Sequence, residues 1–288
     1  MADAAFDGAT GDVVRIAARA FERDRYLAAL LSPREVRDDL IALAAFAGEV
    51  ARIPAAVSEP MIGEIRLQWW RDVVESFEAG TPAETGHPIA DALGRVVQRH
   101  ELPPRLLLGV IDAYSERLQD EPFIDLDALT DNLTKLDGGL FELAHAIISR
   151  PDDRAAPPLL LDCGIVYGLS RVLVEAPAEL AQGRMLLPAD LMSTQGLSLA
   201  SIADPQKTMA RRAFSKALES LVYERLLPLS ASYQVASRAV RLAVLPIALV
   251  RPYLRASQRS DIAALDVRDI GPMTRVWRLW LAHMTGRI

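Results

Sequence analysis

The chain has 288 residues, 51% of them hydrophobic and 24% charged, with 44 Ala and 41 Leu. This composition excludes a disordered or fibrous chain, and its wealth of strong helix formers points to an all-α protein. A formal net charge of −6 argues against nucleic acid as the main partner, since phosphate binding rests on clustered excess Lys and Arg. The single cysteine, Cys163, and histidines scattered at 87, 100, 145 and 283 exclude an internal disulfide and a structural zinc site.

The residues 1–7 lack the basic start and apolar run of a signal peptide. The longest apolar stretch, residues 242–250, contains Pro246 and falls far short of the roughly 20 residues that span a bilayer. The expectation is a cytoplasmic protein. Its charge is unevenly spread: residues 205–288 carry 14 basic and 5 acidic side chains, a net of +9, which leaves −15 on residues 1–204. The C-terminal third can therefore face an anionic surface.

In chain order, a first helix is predicted near 11–31. Ser32-Pro33-Arg34-Glu35 reads as a capping box that starts a second helix near 33–53, which stops before Pro54. Ser58 with Pro60 opens a third helix to Ala79, where Gly80 is a stop signal. Further helices are predicted at 88–99, 103–119, 126–149, 157–181, 205–233, 235–256 and 271–286. No repeat, alternating strand pattern or linker-length loop interrupts them. The expected organisation is one helical domain over 1–288 with a flexible stretch at 1–10.

Nucleophile motifs, phosphate-cradling glycine loops and His-Glu-x-x-His are absent from the sequence, and Cys163 sits on an apolar helix face as a buried structural thiol would. Asp38-Asp39 and Asp152-Asp153 read as solvated surface. Glu175 and Glu179, spaced i,i+4 on a helix whose other positions are apolar, read either as an exposed acidic face or as two carboxylates pointing into one cavity.

Several strings carry a resemblance. They are Asp24-Arg25-Tyr26-Leu27-Ala28-Ala29-Leu30-Leu31-Ser32-Pro33, Asp39-Leu40-Ile41-Ala42-Leu43-Ala44-Ala45-Phe46, Ser58-Glu59-Pro60-Met61, Glu64-Ile65-Arg66-Leu67-Gln68-Trp69-Trp70-Arg71 and Gly183-Arg184-Met185-Leu186-Leu187-Pro188-Ala189-Asp190-Leu191. Together they resemble the squalene/phytoene synthase family, most closely its branch linked to assembly of respiratory complex I. The resemblance runs from about Val14 to Leu197 and implies the isoprenoid synthase fold, a helical bundle around a deep central cavity.

Active members of that family condense two farnesyl or geranylgeranyl diphosphates, using Mg²⁺ held by two aspartate-rich segments to stabilise the diphosphate leaving group. The first segment falls here on Ala51, Arg52 and Ala55, none of which binds a metal, and Leu136 stands where the family has a threonine. The second falls on Glu175 and Glu179. The resemblance implies a cavity and diphosphate-binding set of Arg52, Arg66, Trp70, Asp137, Tyr167, Glu175, Glu179 and Arg184, with Glu175 and Glu179 the candidate metal ligands. Arg52, facing the two glutamates, would neutralise them in place of Mg²⁺.

The implied function is a non-catalytic complex I assembly factor, peripheral to the inner membrane, whose partner is a membrane-protein subunit or assembly intermediate. A prenyl diphosphate or lipid is a further candidate occupant of the cavity, and the alternative function is a Mg²⁺-dependent prenyltransferase acting on farnesyl or geranylgeranyl diphosphate in isoprenoid biosynthesis. Two helices leave a choice open. Arg66 and Trp70 line the cavity mouth, or Trp70 and Leu67 are core and the arginines surface. In the last helix Trp277, Trp280, Leu281 and Met284 share a face beside Arg275, Arg278 and Arg287. Either that face docks on the bundle or residues 271–288 meet an anionic membrane.

Overall fold

In the computed structural model the described residues are 8–57, 59–78, 84–118, 122–150, 157–181, 188–194, 196, 198, 208–258 and 269–288. Among them no strand occurs. The helices are α1 (Gly8–Phe21), α2 (Arg23–Leu30), α3 (Arg34–Ala51), α4 (Pro60–Glu78), α5 (Pro88–His100), α6 (Pro104–Glu116), α7 (Leu126–Leu133), α8 (Gly139–Ile148) and α9 (Leu159–Ala181). They are followed by α10 (Ala189–Thr194), α11 (Thr208–Val235), α12 (Arg238–Ala243), α13 (Val250–Gln258) and α14 (Pro272–Thr285). Helix starts follow the proline signals at Pro60, Pro88, Pro104 and Pro272. Of the stretch expected to be flexible at 1–10, Gly8 onward belongs to α1, and residues 1–7 lie outside the described residues.

Three local expectations are corrected. The helix predicted over 11–31 is two helices, because Glu22 leaves helical geometry (φ −130°, ψ 57°) and buries its carboxylate. The capping box does not form: Pro33 is the N-cap without a side-chain bond, and Ser32 Oγ donates back to the Ala28 carbonyl at 3.3 Å. The helix predicted over 126–149 has a π-turn at Thr134–Gly138 between α7 and α8.

The π-turn is explained by a close crossing. A Cβ on Gly164 would stand 2.3 Å from Gly138 N, and one on Gly168 would stand 2.8 Å from Asp137 Oδ2. Two glycines four residues apart let α9 lie directly on the π-turn, which brings Asp137 into the interior.

The core has two apolar clusters. One is built on the Ala-rich α3, with Ile41, Phe46 and Val50 packed by residues of α1, α4, α5 and α6. The other surrounds α9, with Leu169 and Val172 packed against Leu218 and Val222 of α11, Tyr253 and Leu254 of α13 and Leu279 of α14. Burying such a large aliphatic side chain contributes roughly 1.5–3 kcal/mol. Between the clusters run α2 and the π-turn, and charged side chains meet there.

Candidate functional site

Helix α9 presents Arg171, Glu175 and Glu179 at i, i+4 and i+8, in one file along a single face. That file lines a cavity of about 220 Å³ whose other walls are Phe21, Gly48, Ala51, Arg52, Pro54, Tyr114 and Arg117. The two segments that the resemblance pairs across a cavity, the end of α3 and the end of α9, therefore face one cavity here.

The charge arrangement differs from the expected one. Arg171 donates from Nε and Nη2 to Glu175 Oε1 at 2.9 and 2.8 Å, and from Nη1 to Glu22 Oε1 at 2.6 Å. Arg117 Nη1 stands 4.0 Å from Glu175 Oε2 and anchors its Nε on Asn132 Oδ1 at 3.0 Å. Arg52 was expected to neutralise the glutamates; instead its Nη1 pairs with Glu49 Oε1 at 3.1 Å, and its guanidinium lies 4.5 Å from the centre of the Phe21 ring. Position 52 follows the last turn of α3, so Glu49 is in reach at i−3, and the cation that holds Glu175 comes from α9 itself.

Burial would remove the charge from Arg171, yet Glu22 and Glu175 hold its pKa well above the ordinary value. For Glu22 the balance tips the other way. Burial raises its carboxyl pKa, and Arg171 and Arg25 offset this only in part. The phenol of Tyr114 is likewise pushed up by burial.

A second cavity of about 210 Å³ adjoins the first and shares Phe21, Arg171 and Glu175 with it. Its inner end is organised by Asp24, in the first turn of α2. One carboxylate oxygen accepts from Tyr167 Oη at 2.9 Å and from Tyr253 Oη, and the other accepts from Arg275 Nε. Arg275 further donates to Asp269 Oδ1 at 2.7 Å and to Tyr253 Oη at 3.1 Å. Alongside, Arg25 forms a buried ion pair with Asp137, with Phe141 and Tyr167 rings 4.7 and 5.3 Å from its guanidinium carbon. Burial pushes the Tyr167 and Tyr253 phenols up, and Asp24 adds to both shifts.

The residues singled out from the sequence thus separate. Arg52, Glu175 and Glu179 line the first cavity, Tyr167 and Glu175 line the second, and Asp137 lies just behind Arg25. Trp70 is core, edge-on to Phe46 at 5.3 Å, and Arg66 is exposed on α4, so the cavity-mouth reading of that helix does not hold. Arg184 and Asp152-Asp153 lie outside the described residues. Asp39, read as solvated, is buried because Arg99 and His100 of α5 reach it at 2.9 and 2.8 Å.

Glu22, Asp24, Arg117, Arg171 and Tyr253 were missed, and Arg275, read beside the tryptophan face of the last helix, is instead buried against Asp24. Arg171 had a local signal, its i,i+4 spacing from Glu175, and Asp24-Arg25 stood inside the first motif string. Tyr253 had none.

The chemistry of the donor set decides whether Mg²⁺ fits. A hard divalent cation wants several anionic oxygens from both walls. The α3 wall supplies Ala51 and Arg52, and both Glu175 oxygens are engaged by arginines. Among the described residues no group of three or more His, Cys, Asp or Glu could hold a metal. The residues do not fit the family's metal cluster.

An all-helical bundle with these facing segments defines the isoprenoid synthase class of fold. The structure overlays on a dehydrosqualene synthase crystal structure with a TM-score of 0.79, at 14% identity and 96% coverage of both chains. It overlays on squalene synthase from Alicyclobacillus acidocaldarius with a TM-score of 0.71, at 17% identity and 87% and 94% coverage.

The sequence profile of squalene/phytoene synthases matches residues 18–276, and the chain belongs to that family. Among curated proteins it is 29% identical over 202 residues to human "NADH dehydrogenase (ubiquinone) complex I, assembly factor 6", across 69% of this chain and 57% of the relative. The Drosophila melanogaster homolog is 24% identical over 211 residues, across 71% and 60%. The chain thus matches a little over half the length of these relatives.

Proposed function

We propose that this chain is a catalytically silent member of its family that acts in assembly of respiratory complex I, engaging a membrane-protein subunit or an assembly intermediate. In this reading a single squalene/phytoene synthase-like domain over 1–288 carries the assembly role. The observation that supports this most directly is the Arg171 bridge: one guanidinium ties Glu175 to Glu22, in a site where active relatives would need Mg²⁺. Relatives named as assembly factors support the same reading.

The chemistry argues in the same direction. Ionising an allylic diphosphate requires neutralising a multiply charged leaving group, which the family achieves by bridging metals. Arginines already compensated by carboxylates supply little net positive charge. A deficit of about 4 kcal/mol in leaving-group stabilisation slows the step about a thousandfold.

Purified protein incubated with farnesyl or geranylgeranyl diphosphate and Mg²⁺ should give no turnover. Turnover that disappears in the Glu175→Ala, Glu179→Ala double variant would overturn the reading and establish a prenyltransferase. A strain lacking the chain should lose complex I activity and keep its squalene-derived and carotenoid lipids. Millimolar Mg²⁺ should raise Tm no more than an ionic-strength control, because a ligand stabilises only through binding to the native state. A magnesium-specific rise of several degrees, lost in Glu175→Gln, would count against the proposal.

A further inference from the structure

Helix α14 is the last described element, and its Arg275 side chain is buried against Asp24. With Arg275, Leu279 and Ala282 turned inward at i, i+4 and i+7, the opposite face must look out. That face carries Met273, Trp277, Trp280 and Met284, which are 80%, 58%, 42% and 63% exposed. The two tryptophan rings stack on each other, centroids 5.1 Å apart, rather than on the bundle. The result is an apolar ridge with no partner among the described residues, running the length of the helix.

Beside the ridge lies an uncompensated positive cluster. Arg251 and Arg255 stand i,i+4 on α13, near enough to Arg278 of α14 for their charges to act on it. Burial and then these two neighbouring charges depress the Arg278 pKa. Among the described residues no carboxylate pairs with Arg251, Arg255, Arg278 or Arg287, and the buried Nε atoms of Arg251 and Arg278 have no hydrogen-bond partner. On the other flank His283 feels Arg238. Residues 271–288 contain no acidic side chain. The buried arginines Arg25, Arg171 and Arg275 each have a carboxylate, and this group has none among the described residues.

From this juxtaposition we propose that the α14 ridge and the Arg251–Arg255–Arg278 cluster dock the protein on an anionic phospholipid surface. Tryptophan and methionine enter the interface at headgroup depth, and the arginines take lipid phosphates, which guanidinium groups bind in bidentate fashion. A ridge suits a planar, deformable lipid surface, and a protein groove would have to match its curvature. No helix among the described residues is long and apolar enough to cross a membrane. The proposal stands apart from the complex I reading, since either can fail alone.

The full chain should co-sediment with vesicles containing phosphatidylglycerol, and much less with pure phosphatidylcholine. The binding should weaken as salt rises from about 0.05 to 0.5 M, where the Debye length shrinks from more than 10 Å to a few ångströms. Replacing Arg251, Arg255 and Arg278 together by Gln should lower partitioning about 100-fold, at about fivefold per arginine. Replacing Trp277 and Trp280 by Ser should lower it about tenfold. Both variants should melt within a few degrees of the wild type; if one unfolds, the lipid and salt dependence of the wild type and the other variant decide.

Equal binding to neutral vesicles, no binding at low salt, or unchanged binding in both folded variants would overturn the proposal. So would complete release by millimolar glycerol phosphate, which would assign the cluster to a soluble phosphate. Loss of vesicle binding alongside retained capture of an acidic protein would assign it to a protein partner instead.

Discussion

The arginines of this protein fall into two sets that differ in one respect. Inside the bundle Arg25, Arg171 and Arg275 are each matched by a carboxylate from a distant part of the chain, Asp137, Glu22 and Asp24. On the α13–α14 surface Arg251, Arg255 and Arg278 have none among the described residues. A matched set locks helices together and leaves little charge for a ligand. An unmatched set costs the fold mutual repulsion and leaves its charge available. In this family the interior is where charge would serve catalysis, and here Arg25, Arg171 and Arg275 are paired with carboxylates there.

The comparison breaks most readily at Asp24. Asp24→Ala removes the acceptor for Arg275, Tyr253 and Tyr167, leaving a buried guanidinium unpaired, and should destabilise the protein by about 3–5 kcal/mol in urea unfolding. A loss below about 1 kcal/mol would mean that the matched set is not structural. Arg171→Met should cost about 2 kcal/mol, since its pairs with Glu22 and Glu175 are charge-assisted and only partly solvated. If this variant instead gained stability, the bridge would be a functional strain and not a lock.

Arg52 sharpens the contrast between pairing inside and at the cavity mouth. Its pair with Glu49 is half-exposed, so Arg52→Ala should cost less than about 1 kcal/mol by thermal melting. A larger loss would show that Arg52 has an essential role across the cavity.

Titration tests whether matching is complete. The Glu22 carboxyl is raised above the ordinary glutamate value of 4.5, with burial outweighing Arg171 and Arg25. In that window the folded state binds the proton more tightly than the unfolded state. The contribution of Glu22 to stability is therefore present in full below pH 4.5 and is lost as pH rises through the folded pKa. Glu22→Gln should flatten that decline in a series of melts from pH 4 upward; an identical slope would show that the arginines offset burial fully. The smallest effect is expected on the surface, where Arg251→Gln, Arg255→Gln and Arg278→Gln should each change stability by no more than about 0.5 kcal/mol.

The sequence determined the helical architecture and most of its punctuation, because periodicity, proline starts and alanine-rich packing faces are encoded within three or four residues of one another. It also located the two facing motifs, at Ala51-Arg52 and Glu175-Glu179, and the tryptophan-bearing last helix. What it left to the tertiary structure were the partners of charges. Glu22 breaks α1 from α2 to meet Arg171 149 residues away, Arg25 meets Asp137 across 112, and Asp39 is buried only because α5 brings Arg99 and His100 to it. Arg275 finds Asp24 across 251 residues, and with Leu279 and Ala282 it forms the inward face of α14 that leaves the tryptophans outside. An ion pair needs only proximity and opposite sign, and neither leaves a mark on the local pattern; the fold alone decides which charges meet.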